Sequence, residues 1–492
     1  MQEGTGMENK LEKRYGLFTA ISMVVGITIG SGVFFKAEAV LTKTGGNLSV
    51  GILAFIIMGV VMIISACTFG VVAQSHEGVE GLVGLIMIAC SCAFAALGTK
   101  YVKCNGIVDY AEATIGKKYA YYVAWFLSTM YYPIIAATLS WVSARYTTML
   151  FGMEDGGGAT CAIGAFYLMT SFAINALSPK LAGKIQVSAT VIKLVPLLLM
   201  GIVGTIVGLV NGNGIAIFSD SSIIEAGGQS SGILPAVCAF AFSYEGWIIA
   251  TTINSELKNA KRDLPLALIG GAIFCTVIYS LYVYSMSATM NAEQILEAGD
   301  MLPKIAFSNV FGNFAGTLVF VFIIISCLGT TNGVMMGTMR GLYSLSFRTE
   351  GKRAKVLAEV DKSTGMPLKS CIAGLALCAF WFLQWQVFFW EGPLVMNKTG
   401  NPAWLLGWEA DEIVIITLYA FYIPIFIMMM AKEKDFGFVK RFVLPLLGIG
   451  ASVFMGYCCA VSYGELVFSY LVVFAIFMIC GAIFYHAKPK KK

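Results

Sequence analysis

The chain has 492 residues, 58% of them hydrophobic and only 12% charged, with a mean hydropathy of +0.79. That composition excludes an ordinary soluble domain, and the net charge of +5 sits in short loops beside apolar runs, which excludes a nucleic-acid reading. The 13 cysteines, among them Cys238, Cys275, Cys327 and Cys480, lie mostly within apolar segments, with neither disulfide nor metal spacing, so neither metal nor cofactor is expected.

In chain order, a polar N-terminus leads into a first apolar stretch at 15–35, with no small-residue cleavage site of a signal peptide. Further membrane-length segments follow at 48–74, 80–98, 119–150, 159–177, 184–210, 233–256, 265–289, 305–333, 368–390, 410–430, 442–463 and 465–486. Lysine and arginine gather in alternate loops: Lys10 to Arg14, Lys100 to Lys118, Lys180 and Lys184, Lys258 to Arg262, Arg340 to Lys369, Lys432 to Arg441, and the Lys488 to Lys492 tail. The loops between are acidic or neutral, so both termini are placed in the cytoplasm of a multi-pass cell-membrane protein.

Both the N-terminus and the 99–118 loop are then cytoplasmic, yet three apolar segments separate them. One of the three cannot be an ordinary span. A shift of 25 residues superimposes Gly59, Met62, Ile63, Cys67 and Phe69 on Gly84, Met87, Ile88, Cys92 and Phe94, the pattern of a local duplication or of chance in low-diversity apolar sequence. One continuous helix over 48–98 would be about 75 Å long, so a break near His76 to Gly81 is expected, with one half re-entrant or interfacial. The expectation is an all-α membrane protein of about 12 spans with an extra apolar segment around the second.

Two spans are interrupted. The first carries Gly26, then Thr28, Ile29, Gly30, Ser31 and Gly32, a poor composition for a continuous helix because each glycine costs about 1 kcal/mol relative to alanine. The second carries Phe240, Phe242, Ser243, Tyr244, Glu245 and Gly246. Irregular backbone at membrane depth is tolerated where it lines a cavity, and paired breaks in corresponding helices mark inverted-repeat transporters. The 1–492 chain is then one transporter domain: five-helix repeats over about 15–210 and 233–430, with helices 1 and 6 broken, and a final pair over about 442–486. Half-helix amides suit a carboxylate and half-helix carbonyls an ammonium, which fits an amino acid.

Two charges lie at depth. Glu245 reads either as a functional carboxylate or as a favourable charge at the start of a half-helix. Lys193, nine residues beyond Lys184, reads either as a snorkelling lysine or as a fixed cation satisfying unwound carbonyls where other transporters hold sodium. Phe242, Tyr244 and Trp247 are packing aromatics or a gate that closes over the solute.

These motifs resemble the amino acid–polyamine–organocation superfamily, nearest its light-subunit-type amino acid exchangers and bacterial relatives. The resemblance rests on GITIGSGVF, on FAFSYEGW with the Glu256 to Pro265 loop after it, and on Arg340-Gly341-Leu342-Tyr343 with Thr364 to Pro367, covering roughly Arg14 to Pro367. It implies that Gly30, Ser31 and Gly32 amides receive the substrate carboxylate and that Phe240 and Ser243 carbonyls receive the ammonium. It further implies that Phe242 is the gate aromatic and that Lys193 replaces sodium beside Gly26. The 75–95 insertion departs from the family pattern, and Glu245 stands where many members carry an uncharged residue.

The expected function is sodium-independent amino acid transport by alternating access, through exchange or proton coupling. The alternative is a polyamine or cationic amino acid carrier with Glu245 as counter-ion. An enzyme is not expected: His76 and His486 sit at span ends, and no nucleophile–base pair or paired intramembrane aspartates is visible. The lipid bilayer and a small-molecule substrate are the partners implied. The sequence does not decide on a partner subunit, and two sequons, at Asn47 and Asn397, fall in loops placed outside.

Overall fold

The computed structural model describes residues 16–30, 32–58, 107–217, 232–246, 258–346, 348–349, 356–361, 366–389, 407–434 and 436–486. Every regular element among them is helical, and nine helices are long and apolar enough to cross a membrane. The protein is an all-α, multi-pass membrane protein. The apolar segment at 80–98 and the break expected near His76 lie outside the described residues.

The first span divides into α1 (Leu17–Thr28) and α2 (Gly32–Lys43), followed by α3 (Leu48–Met58) and a short α4 (Ile107–Thr114). Next come α5 (Lys117–Leu150), with a π-helical turn at Leu127–Tyr131, and α6 (Gly158–Leu177). Helix α7 starts at Pro179 and passes through a second π-turn at Met200–Gly204 to Val210. The sixth span is described only to its break: α8 is Ile233–Phe240, followed by turns to Gly246. The longer helices that remain are α9 (Ala260–Ala288), α10 (Leu302–Phe311), α11 (Asn313–Ser346), α12 (Leu368–Phe389), α13 (Ala410–Lys432), α14 (Val439–Tyr463) and α15 (Leu466–His486).

The eighth span differs from the sequence expectation of 305–333. Gly312 takes φ +87°, a conformation that excludes a continuing helix, so α10 ends there and α11 begins at Asn313. At 34 residues α11 is about 51 Å long, more than a bilayer core needs, and it carries Arg340 as a helical residue rather than a loop residue.

Helix α5 is the axis of the bundle. Its most apolar stretch is 94% buried, against 17% for α15 at the periphery. Lipid is as apolar as leucine, so close packing and internal hydrogen bonds hold the helices together. Gly329 faces Ala189 so closely that a Cβ there would lie 2.3 Å from the alanine methyl, which lets α7 and α11 touch. Asn175 donates to Asn332 Oδ1 (2.8 Å), and Asn332 in turn donates to the Ala182 carbonyl (2.9 Å), tying α6, α7 and α11. Trp385 on α12 donates to Thr138 Oγ1 on α5 (2.7 Å), and Trp381 donates to the Thr129 carbonyl (3.1 Å).

Candidate functional site

The two breaks meet. In a continuous helix the Gly30 amide would bond the Gly26 carbonyl four residues back. Instead it turns to Thr28 O at 2.7 Å, and the Gly26 carbonyl is left without its helical donor. Lys193 supplies the replacement: its Nζ, on a side chain only 2% exposed, lies 2.6 Å from Gly26 O. A cation at the carbonyl end of a half-helix is also favoured by the helix dipole.

The second break is held from within and from α9. Ser243 N and Tyr244 N both point to Phe240 O (3.0 and 3.3 Å), and Glu245 N points to Phe242 O (3.2 Å). Gly246 closes the turn at φ +103°, where a side chain would be strained. One hydroxyl joins the two breaks: Tyr279 Oη lies 2.8 Å from Thr28 O and 2.9 Å from Ser243 O, sharing its proton between them. Tyr279 was not singled out by sequence, because a tyrosine in an apolar helix reads as packing.

A cavity of about 50 Å³ lies between the breaks, lined by Thr28, Gly30, Gly32, Phe242, Glu245 and Gly246, with Tyr131, Tyr132 and Ile135 from α5 and Thr330 and Val334 from α11. Its polar groups are concentrated on one carboxylate. Tyr131 donates to Glu245 Oε1, while Glu245 Oε2, Thr28 Oγ1 and Ser243 Oγ have no hydrogen-bond partner among the described residues. Buried polar atoms without partners are costly; Thr28 and Glu245 line the cavity and Ser243 lies behind Gly32, so a polar ligand there would complete at least the first two.

The structure sorts the residues singled out from sequence. Thr28, Gly30, Gly32, Phe242 and Glu245 line the cavity; Ile29 is buried but does not line it. Ser31 lies outside the described residues. Gly32 makes the closest approach: a Cβ would sit 2.7 Å from Ser243 Cα, so the two breaks pack backbone to backbone at this point. Gly30 has room, with Thr330 Oγ1 the nearest atom to its virtual Cβ at 3.6 Å. Phe240 packs its ring on Phe55, with its carbonyl occupied by the turn. Tyr244 differs from the gate expectation: it is wholly buried, stacks edge-on against Tyr279 and donates to Phe55 O at 3.0 Å, which anchors it to α3 away from the cavity. Tyr131, Tyr132 and Thr330 are additions that only the fold brings in.

Two helix breaks that meet at a cavity holding a carboxylate inside a membrane bundle fit a solute transporter. A profile described as amino acid permease matches residues 15–488, and the chain belongs to that family; it is a transporter and not an enzyme. Among curated relatives it is 26% identical over 458 residues to the serine/threonine exchanger SteT of Bacillus subtilis, covering 91% of each chain. It is also 26% identical over 478 residues to the human b(0,+)-type amino acid transporter 1 (96% of this chain, 88% of the relative). The human cystine/glutamate transporter is 25% identical over 378 residues (75% and 68%).

Proposed function

We propose that the protein moves a small amino acid across the cell membrane by alternating access, without sodium. The observation that carries the sodium-independent reading is Lys193: a chain-borne cation already bonds the carbonyl that the helix break orphans. The amides of Gly30, Ser31 and Gly32 receive the substrate carboxylate, the Gly30 amide exchanging its bond to Thr28 O for it. The buried carbonyls of Phe240 and Ser243, which accept from turn amides and Tyr279 in this conformer, turn to its ammonium, and Phe242 closes over it. Both termini are cytoplasmic, so α2 leads outward from the cavity. The halves 15–210 and 233–430 act as inverted repeats that rock about the cavity, with 442–486 as an added pair. A cavity of about 50 Å³ is far below the ~300–1,000 Å³ of open ligand sites, consistent with a closed conformer around a small solute. Exchange is the activity named for the Bacillus relative and is the mode favoured here, with proton coupling as its variant.

Uptake into proteoliposomes tests this. Replacing external sodium by choline is expected to leave the initial rate unchanged, and Lys193→Ala to lower it at least tenfold, since a hydrogen bond from a charged group contributes roughly 1.5–3 kcal/mol. Stimulation of the wild type by sodium, absent with lithium and potassium, overturns the assignment of Lys193.

The free oxygen of Glu245 favours a second reading, a cationic amino acid or polyamine as substrate. Competition by unlabelled arginine, spermidine, serine and leucine separates the two. If the carboxylate is a counter-ion, Glu245→Gln loses the cationic competitors alone; an equal, modest loss for all competitors assigns Glu245 to the turn.

A further inference from the structure

A second charged centre lies beyond the cavity, where α2 meets the start of α13. Lys36, one turn past Gly32, places its Nζ 2.7 Å from Glu409 Oε2, 2.8 Å from Glu412 Oε1 and 3.1 Å from Asp411 Oδ2. Lys43, near the end of α2, reaches Glu412 at 3.4 Å and Glu409 at 4.0 Å. From α14, Tyr463 donates to Glu412 Oε2 at 2.6 Å, and the remaining titratable groups turned toward the cluster among the described residues are Cys238 on α8 and Cys459 on α14. Lys36, Asp411 and Glu412 are all buried.

Among the described residues three carboxylates face two ammonium groups, so this group of five, fully ionised, carries one negative charge in excess. An unpaired charge withdrawn from water is among the costliest features a fold can hold, and taking up a cation removes it. The carboxylates are not equivalent. Glu412 has two lysines and a tyrosine hydroxyl, and Glu409 keeps contact with solvent, at 29% exposure. Asp411 is wholly enclosed, and its one charged partner among the described residues is Lys36, which it shares with the other two. A metal ion is a poor occupant, because two ammonium groups already stand among the oxygens, and no group of three or more His, Cys, Asp and Glu among the described residues is arranged to hold one.

We propose that this cluster binds one proton, on the Asp411 carboxylate, whenever α2 and α13 are drawn together, so that closing this end of the transporter is proton-dependent. The proton comes from the solution at that face, and opening returns it: the lysines and Glu409 and Glu412 stay ionised as two balanced pairs. The proposal rests on the transport reading for the meaning of closing, and on the orientation proposed above for its being the outer end. The sign follows from linkage. The closed form holds one more proton than the open form, so closure is fully favoured at acid pH and weakens as pH rises, by at most about tenfold per pH unit.

Hydrogen–deuterium exchange of the full-length protein in detergent, corrected for the intrinsic pH dependence of exchange, reads this without any substrate. Peptides spanning 36–46 and 407–413 are expected to open more readily as pH is raised. Asp411→Asn, a neutral stand-in for the protonated side chain, is expected to keep them protected and indifferent to pH. Lys43→Gln leaves two uncompensated charges and is expected to move the opening midpoint to higher pH. A wild type whose protection ignores pH, an Asp411→Asn protein that follows pH as the wild type does, or a Lys43→Gln midpoint that stays or falls each overturns the proposal. A protein that transports no amino acid yet shows the predicted exchange pattern refutes the transport reading and leaves the proton site standing.

Discussion

The two helix breaks solve the same problem by opposite means. The first is short and braced from outside: its lost intrahelical bond is replaced by Lys193 from α7, and a second carbonyl is taken by Tyr279 from α9. The second is longer and largely self-sufficient, with three amides turned back on its own carbonyls and Tyr279 as the added link. A break braced by distant helices responds to whatever moves those helices. A break that satisfies itself keeps its shape and can serve as the fixed wall of a site. On the transport reading proposed above, the first break is the one expected to move and the second the one expected to hold Glu245 in place.

Three substitutions sharpen or undo that contrast. The largest effect is expected from Gly32→Ala, where the new methyl meets the Ser243 backbone at 2.7 Å and one break must move away from the other. Overpacking of this kind costs about 1–3 kcal/mol, and with backbone on both sides the upper end applies. Initial uptake is expected to fall to background while gel filtration still shows an intact, membrane-extracted protein.

Tyr279→Phe comes next. It keeps the ring against Tyr244 but withdraws the donor shared by Thr28 O and Ser243 O, a loss of roughly 1–3 kcal/mol for buried acceptors. Uptake about tenfold lower, with a lowered thermal midpoint, is the expected outcome; wild-type behaviour in both assays means the breaks are not coupled through this hydroxyl. Gly30→Ala is the smallest. Its backbone is not in the left-handed region and its nearest neighbour is at ordinary contact distance, so stability is expected within about 0.5 kcal/mol, with any change confined to KM. If Gly30→Ala is as damaging as Gly32→Ala, the first break needs backbone freedom rather than close approach.

Hydropathy made the bundle readable, because each span needs an apolar run of fixed length. Glycine content marked the first break, and the rarity of ionised groups at depth marked Lys193 and Glu245. Tyr131 and Tyr279 were not legible, since a tyrosine hydroxyl gains its meaning only from the carboxylate or carbonyl that the fold brings to it. Lys36 was hidden by an assumption about length. A first span drawn over 15–35 makes it an ordinary flanking lysine, whereas two half-helices place it a single turn beyond the break. The boundary at Gly312 was likewise unmarked, because apolar residues continue on both sides of a turn set by one backbone angle.

The bond between Lys193 and Gly26 also bears on energy supply. A dissolved ion fills its site to a degree set by its concentration on each face of the membrane, and its release on the dilute side does work. A cation attached to the chain through four methylenes is present at the same occupancy on both faces and is never released. No ion gradient enters the cycle through this position while the lysine keeps its charge, and on the sodium-independent reading proposed above uphill movement of one solute draws on the downhill movement of another solute or of protons.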